Sequence, residues 1–578
     1  MDDELRLLRA TAARIADAHR PSGTRHFHDS ALASAAAEAL RETGLDDLGS
    51  PGSGASALHA AVVAEELARA LTPVDYAELC RGGVGRARGA ALVAAELVGT
   101  ARGALDDAVE YARVRCQFGR PVGAFQAVAH LAAEAAVDLA AAEAIAAHAA
   151  WAADALGPDE ADAVAHAAAL LCAEAATSVC ETAVQMLGGI GMTWDHLAHV
   201  RLRRVHGRRL FLAGRPPASG SLPDLRALDT PDEAVFRAEL ADWIGALTDV
   251  PEDGGGWHRT LYDAGYVGVS FPTEAGGRGL PPAYEAIVND ELGFRGLPPV
   301  PPIGHLAHAL RRFGDPEQRA AHLPGLLAGR VAWCQGFSEP EAGSDLAAVA
   351  TRAVWEGDAY RVTGGKIWTS GAVEADRCLL LCRTGEPGGR HNGLTVLLVA
   401  MDAPGVCVEP ITTAFETREF AQVFFDDARV AAADRLGAEG DGWRIAMALL
   451  GYERGPADIG WTSRLAASVA ELRAHGGLDP VLADRLAHAE RWLYALRLRV
   501  RARLRDRTPD GDPGPEGSVD KLLLTRVDQL VGRLRLDVLG ADAMTGYLWS
   551  RAASIYGGTA QIQRDIVARR VLGLPAPG

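Results

Sequence analysis

Several short runs in this chain place reactive or ligand-holding side chains at tight spacing. Gly451-Tyr452-Glu453-Arg454 sets a carboxylate between an aromatic ring and a guanidinium. A positioned carboxylate can take a proton. Apolar surroundings would raise its pKa, and Arg454 would lower it. The same four residues also suit a helix-surface glutamate paired with the next arginine. Far upstream, Arg115-Cys116-Gln117-Phe118-Gly119-Arg120-Pro121, with Gln126 close behind, puts a cation beside an amide and an aromatic ring. An ordinary salt bridge at a helix end would look similar. Gln185-Met186-Leu187-Gly188-Gly189-Ile190-Gly191 removes the Cβ obstacle at three positions, so backbone there can approach a ligand closely. In the middle, Gly336-Phe337-Ser338-Glu339-Pro340-Glu341-Ala342-Gly343-Ser344-Asp345 is followed by Lys366-Ile367-Trp368-Thr369-Ser370. A tryptophan in such a run also fits the core of a β domain.

The elements that must hold these runs follow from periodicity. Leu5, Leu8, Ala12 and Ile15 mark one helical face near the N-terminus, and Pro51-Gly52-Ser53-Gly54 interrupts the helical pattern. An alanine-rich stretch with Leu92, Leu97, Leu105, Val109 and Ala112 in a stripe predicts a helix bundle, with Gly157-Pro158-Asp159 between two long helices. Arg215-Pro216-Pro217-Ala218-Ser219-Gly220 reads as part of a linker. Ala359-Tyr360-Arg361-Val362, Cys378-Leu379-Leu380-Leu381 and Leu394 to Val399 are β-like and punctuated by glycine. The expected divisions are 1–75 helical, 76–212 a helical bundle, 213–230 linker, 231–335 helical, 336–440 β, and 441–578 helical, with a loose insertion from Thr508 to Gly514. The expected fold class is mainly α with a small β domain.

Composition narrows the function. The 578 residues exceed one compact core. A net charge of −17 argues against a nucleic-acid surface, which needs a basic patch. Eight scattered cysteines lack CxxC pairing and suggest buried thiols, as with Cys378 and Cys382 in a strand-like run. His26 and His28, or His196 and His199, are too isolated from other ligand types to suggest zinc, and no metal is expected. Lysine occurs only at Lys366 and Lys521, which reads as codon bias toward arginine. The acidic start, Met1-Asp2-Asp3-Glu4, lacks the apolar core of a signal peptide, and runs such as Ala90 to Leu97 fall short of the ~20 residues of a membrane span. A cytoplasmic protein without a membrane partner is expected.

The runs resemble the acyl-CoA dehydrogenase family. Residues 231–578 carry its stretches in order: Trp257 to Leu280, Phe313-Gly314-Asp315-Pro316-Glu317-Gln318, Ser338 to Asp345, Lys366 to Ser370, Phe424 to Val430, and Ile555-Tyr556-Gly557-Gly558-Thr559. The Arg-x-Gln-Phe-Gly stretch, which in an ordinary member follows the Ser-Glu-Pro stretch, precedes it here, with no second copy after residue 454. The resemblance therefore implies a tandem fusion: a truncated, all-helical first half and a complete helix–β–helix second half. The pattern is similar to the heteromeric and fused enzymes of bacterial steroid side-chain breakdown.

That resemblance implies one FAD per chain. Phe337 and Ser338 would meet the ring edge, Trp368 would pack on the ring, Ser370 would bond near N5, and Ser344 would help hold phosphate or pantetheine. Thr559 and Gln561 would also contact the cofactor. Arg115 would reach the pyrophosphate, with Gln117, Phe118 and Gln126 alongside and Gln185, Gly188 and Gly189 close to the ADP portion. Glu453 would be the catalytic base, because the Ile-Tyr-Glu-Gly-Thr position used by many members is Gly557. The Gly557 N–H, Tyr452 and Arg454 would bind the thioester, and Arg569 the CoA. Glu339 and Asp345 would order the loop. Aligning Arg88-Gly89-Ala90 with the Glu-Arg segment leaves the first half with Gly89 at the base position. The implied reaction is α,β-dehydrogenation of an acyl-CoA, with a bulky or branched acyl group since the first half lacks a β domain. An electron-transfer flavoprotein is the implied electron acceptor, and the chain would pair as a homodimer of fused pseudo-heterodimers. The alternatives are a carrier-protein thioester substrate, a flavin oxygenase, or a non-enzymatic scaffold. A scaffold would have no use for the split cofactor runs.

Overall fold

A computed structural model describes residues 3–48, 53–80, 85–213, 221–251, 254–386, 388–453, 456–506 and 514–577. The Pro51-Gly52 break, the linker from Arg215 to Gly220, Arg454 and the insertion from Thr508 to Pro513 lie outside the described residues, as does the Glu453 side chain.

The first lobe is helical. Helix Asp3–Ala18 buries Ala12, Ile15 and Ala16 and packs on helix Ala57–Arg69. After the short turn Tyr76–Leu79 come three long helices, Arg86–Val114, Gln126–Ala155 and Pro158–Leu187, then Ala198–Ala213. The leucine and valine stripe at 92, 97, 105 and 109 is buried. Glycine allows the closest contact. A Cβ at Gly99 would stand 2.0 Å from the Glu65 carbonyl oxygen, so helix Arg86–Val114 can approach helix Ala57–Arg69 only without one. Helix Pro158–Leu187 is long and apolar enough by composition to cross a bilayer, yet its apolar residues are buried inside this bundle.

The second lobe opens with five helices between Pro231 and Leu327. An eight-stranded sheet follows. Its order is Arg435–Leu436, Leu394–Ala400, Arg377–Arg383, Arg352–Trp355, Ala359–Ser370, Phe420–Ala431 and Val406–Ile411, with Trp333–Gly336 joined parallel to Arg377–Arg383. Arg377–Arg383 and Leu394–Ala400 are apolar along nearly their whole length because helices cover one face and sheet neighbours the other. A second bundle closes the chain: Gly442–Glu453, Pro456–His475, Pro480–Asp506, Gly517–Leu539, Met544–Ala552 and Ala560–Ile566. The molecule is thus mainly α with one small β domain.

The two bundles share one core. Ala132, Ala136 and Ala140 of the first cluster with Trp492, Leu523, Val527, Ala560 and Val567 of the second. Charged groups rim this seam: Arg526 bonds Glu134 at 2.7 Å and also contacts Asp138, Arg564 contacts Glu134, and His130 lies 3.2 Å from Asp565. Inside it the His148 ring nitrogen Nε2 sits 2.9 Å from the Tyr494 hydroxyl, and burial pushes the His148 pKa down to about 4.

Candidate active site

The Ser338 loop and the strand Ala359–Ser370 are bolted together from beneath. Ile367 N–H donates to the Ser338 carbonyl at 2.9 Å. Lys366, almost wholly buried, donates to the Phe337 carbonyl at 3.0 Å and to the Glu339 carboxylate at 2.6 Å. Glu339 also accepts from the amides of Ala350 and Thr351. Burial alone would push its carboxyl up, but Lys366 and these amides outweigh it and hold the group below its ordinary range. Glu339 therefore orders the loop. Asp345 pairs with Arg390 at 3.1 Å on the surface.

On this platform the strand pairing shifts between Lys366 and Thr369. The bulge turns Trp368 outward with φ 60° and leaves it 58% exposed. A bulky residue in left-handed backbone is strained, and bulges beside sites re-aim side chains. Ser370 and Ser344 are exposed on the same elements, and Ser338 is half-buried. The buried Thr369 hydroxyl finds no hydrogen-bond partner among the described residues.

The other cluster lies at one end of the first bundle. Three helices run up, down and up, so the end of Arg86–Val114, the start of Gln126–Ala155 and the end of Pro158–Leu187 meet there. Cys116–Gln117 and Arg120–Pro121 form a small hairpin whose tip, Phe118 at φ 52° and Gly119 at φ 77°, is fully exposed. Phe118 meets Phe125 edge-on at 6.0 Å, and Arg120 lies over Phe125 at 4.1 Å. Arg115 is exposed and its guanidinium has no hydrogen-bond or ion-pair partner among the described residues. Gln117 uses its amide on the Cys116 carbonyl at 2.7 Å. Gln126, exposed, begins its helix. Gln185 is exposed, and Gly188 ends helix Pro158–Leu187 at φ 63°. Nothing within 4 Å would meet a Cβ at Gly188 or Gly189, so backbone there is open to a ligand.

A chain of contacts links the two clusters. Trp368 meets Phe420 edge-on at 6.3 Å, and the loop before Phe420 carries Phe415, which meets Trp549 edge-on at 4.7 Å. Trp549 stacks near Tyr556 at 6.3 Å, just before Gly557-Gly558-Thr559. Gly557, at φ 62°, is exposed and its N–H donates to no described residue. Thr559 caps helix Ala560–Ile566, which exposes Gln561 and packs on helix Gln126–Ala155 behind the Arg115 hairpin. Tyr452, one residue before Glu453, stacks on His308 at 4.3 Å, which fixes the end of helix Gly442–Glu453 against the N-terminal helices.

Two expected contacts take other forms. The Phe337 ring is 5% exposed, inside the core with Trp333 and Leu379, so only its backbone faces the loop. Arg569 does not reach out for CoA: its guanidinium donates to the Gly123 carbonyl at 2.7 Å and also to the carbonyl of Pro575, latching the hairpin's base to the C-terminal segment. Other residues went unnoticed. Both lysines of the chain are buried, Lys366 under the Ser338 loop and Lys521 against Tyr556, its ammonium 3.7 Å from the ring centre. In a chain that otherwise uses arginine, their rarity was a usable signal. Asp528, two turns beyond Lys521, is buried, and burial pushes its carboxyl up to about 6.

The exposed strained indole, the unpartnered Arg115 and the open glycines fit a long ligand with an aromatic ring at one end and phosphates at the other, as in FAD.

Comparisons with known proteins bear directly on this arrangement. The family model described as acyl-CoA dehydrogenase, C-terminal domain, matches twice, over residues 86–212 and 440–572. The middle-domain model of the same family matches 334–428 and the N-terminal-domain model 233–330, once each. Acyl-CoA dehydrogenase IpdE1 of Mycobacterium tuberculosis is 40% identical over 60% of this chain and 98% of its own length. Acyl-CoA dehydrogenase FadE34 of the same organism is 36% identical over 84% of this chain and 70% of its own. Among solved structures, the Tcur3481-Tcur3483 steroid ACAD is 27% identical with a TM-score of 0.55, covering 61% of this chain and all of that one. The ChsE4-ChsE5 complex from Mycobacterium tuberculosis is 28% identical with a TM-score of 0.53, covering 60% and 98%.

Proposed function

We propose, from the premise that this chain belongs to the acyl-CoA dehydrogenase family and takes FAD as its cofactor, that it builds a single active site out of both lobes and uses it to desaturate a bulky, ring-bearing acyl-CoA. The observation that supports the reading is that the C-terminal-domain model matches two bundles that share one core, each carrying only part of the family's cofactor runs. The second lobe supplies Ser338, Trp368 and Ser370 for the ring and Ser344, Thr559 and Gln561 beyond it. The first lobe supplies Arg115, Gln117, Phe118, Gln126, Gln185, Gly188 and Gly189 for the nucleotide end. A guanidinium suits a pyrophosphate because its fixed donors match phosphate oxygens. Exposed aromatic rings suit the faces of flavin and adenine.

FAD, when bound, supplies the acceptor for the hydride that leaves Cβ. Glu453 takes the proton from Cα, so the two hydrogens leave together and a trans-2-enoyl thioester results. The Gly557 N–H, held free by left-handed backbone, donates to the thioester carbonyl and stabilises the enolate-like charge as the proton departs. Tyr452 and Arg454 flank the base. Among the described residues the first lobe passes from helix Ala57–Arg69 to its bundle without an intervening sheet, which leaves one side of the site without a β wall and favours wide acyl groups. Support for a ring-bearing substrate comes from the similarity to a structure titled a steroid ACAD. Two such chains would associate as a homodimer, and an electron-transfer flavoprotein would reoxidise the cofactor.

Anaerobic mixing of the yellow holoenzyme with a panel of acyl-CoAs tests the reading. Bleaching of the flavin band should be fast with ring-bearing acyl-CoAs and slow with short linear ones, at one FAD per chain. Two FAD per chain, or preference for short linear chains, would overturn the shared-site or bulky-substrate reading respectively.

A further inference from the structure

The hairpin that carries Arg115 is held at both of its stems by the other lobe. Its own pairing is short: the Val122 N–H donates to the Arg115 carbonyl at 2.7 Å, and Cys116 and Gln117 pair with Pro121 and Arg120. The tip faces solvent, with Phe118 93% exposed, and its ring contacts among the described residues run to Phe125 at the hairpin's own base. The stems, residues 113–114 and 123–125, therefore set where the hairpin stands. Residues 567–575 of the second lobe grip both. Arg113 donates to the Gly573 carbonyl at 3.2 Å and also to that of Leu572. On the other stem, Arg569 holds the Gly123 carbonyl at 2.7 Å and also contacts that of Pro575. Leu574, 3% exposed, lies against Gly123: a Cβ there would stand 2.9 Å from Leu574 Cδ2 and 2.8 Å from the Ala112 carbonyl oxygen. Gly573 turns at φ 65°, and a Cβ on it would come within 2.8 Å of the Arg113 guanidinium. Glycine at each contact point lets the segment close on the hairpin's base.

We propose that Arg113, Arg569 and Leu574 are positioning residues for the cofactor: they clamp the Arg115 hairpin in the pose that receives the pyrophosphate of a flavin nucleotide. The inference rests on the reading of Arg115 as a pyrophosphate ligand. A guanidinium that is ordered in advance binds phosphate more tightly, because ordering it at the moment of binding subtracts from affinity. A two-stranded hairpin has little order of its own in water. Docking onto the second lobe supplies it, through donors whose charge strengthens each bond to a carbonyl oxygen. The same stretch of the second lobe also leads back to the redox end. Thr559 and Gln561 stand at the start of helix Ala560–Ile566, which runs directly into the clamp. FAD is thus retained only while the two lobes stay docked, and loosening a contact that never meets the cofactor releases it.

The test dilutes the full-length holoenzyme and follows FAD release by the rise of free-flavin fluorescence. Arg115→Ala should speed release by about 10–100-fold. Arg569→Met and Arg113→Met should each speed it by about 5–20-fold, and Arg569→Lys, which keeps a donor for the Gly123 carbonyl, by less. Arg570→Met removes the same charge from an exposed neighbour and should leave release at the wild-type rate. The deciding readout is coupling: once Arg115 is alanine, Arg569→Met should add little, because the clamp acts through that guanidinium. Far-UV circular dichroism checks that each variant is folded. Should Arg569→Met not fold, Arg113→Met, at an exposed position, carries the same comparison. Wild-type release from the clamp variants beside fast release from Arg115→Ala would overturn the proposal and leave FAD binding by Arg115 intact. So would an undiminished effect of Arg569→Met in the Arg115→Ala background. An Arg115→Ala chain that holds FAD as tightly as the wild type would overturn that reading and the clamp with it.

Discussion

Residues 86–212 and 440–572 fold on one plan, and the cap that ends their third long helix shows how far the plan has been kept. Gly188 has φ 63° and ψ −139°; its counterpart Gly540 has φ 66° and ψ −136°. Both left-handed turns need glycine. The neighbours differ. The first lobe has Gln185 and Gly189, both exposed; the second has Asp537 and Ala541 at the same offsets, and Asp537 is tied to Arg485 at 2.9 Å and to Arg533. A carboxylate there would repel a phosphate. The first helix of each bundle shows the reverse. Helix Arg86–Val114 leads into the Arg115 hairpin, whereas helix Pro456–His475 ends in Gly476-Gly477, with neither the hairpin nor its arginine. In the opposite sense, aligning Arg88-Gly89-Ala90 with the Glu-Arg segment sets Gly89 of the first lobe against Glu453. Residues that shape backbone survive in both copies, and residues that would touch a cofactor or substrate survive in one. Each lobe is free to lose what the other supplies, because the shared core keeps them together.

Four experiments probe this asymmetry. Glu453→Gln should lower kcat by about 10²–10⁴-fold with FAD content unchanged, while Gly89→Glu, whose side chain would enter open space, should leave turnover as it is. Similar effects in stopped-flow bleaching would erase the distinction between the lobes. Arg115→Ala should weaken FAD binding by about 10–100-fold, measured by titrating apoprotein, with far less effect on kcat once FAD is saturating. Gly188→Ala and Gly540→Ala should each cost about 1 kcal/mol or slightly more in thermal unfolding, because both force a Cβ into left-handed backbone. A large inequality would show that the two caps do not do the same structural work. The smallest effect is a pH slope. In the folded chain Glu339 is held below its ordinary value of 4.5, so the unfolded chain takes up the proton first. The stabilisation is complete above that value and is lost as pH falls through it toward the lower folded pKa. Glu339→Gln should remove this part of the acid slope in Tm.

Much of the architecture was legible in sequence. Alanine and leucine stripes gave the bundles, and apolar runs between glycines gave the strands, because burial imposes the period that the helix or strand geometry requires. The inverted order of the runs revealed the tandem plan. The docking of the lobes was not legible. Glu134 and Asp138 are spaced as on any solvated helix face, and their partners Arg526 and Arg564 lie 388 to 430 positions away. Phe337 also misled, because its place in the Ser338 loop says nothing of which way its ring turns; the sheet core claims it. Arg569 looked like a ligand for CoA until the Gly123 carbonyl appeared within 2.7 Å. Lys521 and Asp528 were hidden for a different reason. Their spacing is ordinary; the rarity of lysine marks Lys521, whereas only burial sets Asp528 apart.

The shared core also sets a timetable for synthesis. Helix Gln126–Ala155 is complete long before helix Ala560–Ile566, which must cover part of it, leaves the ribosome. At about 5–20 residues per second the interval is roughly 20–80 s. Throughout that time the part of the alanine face destined for Ala560 and Val567 has no cover from its own chain. Small side chains make that face a weak adhesive for strangers until its own partner arrives.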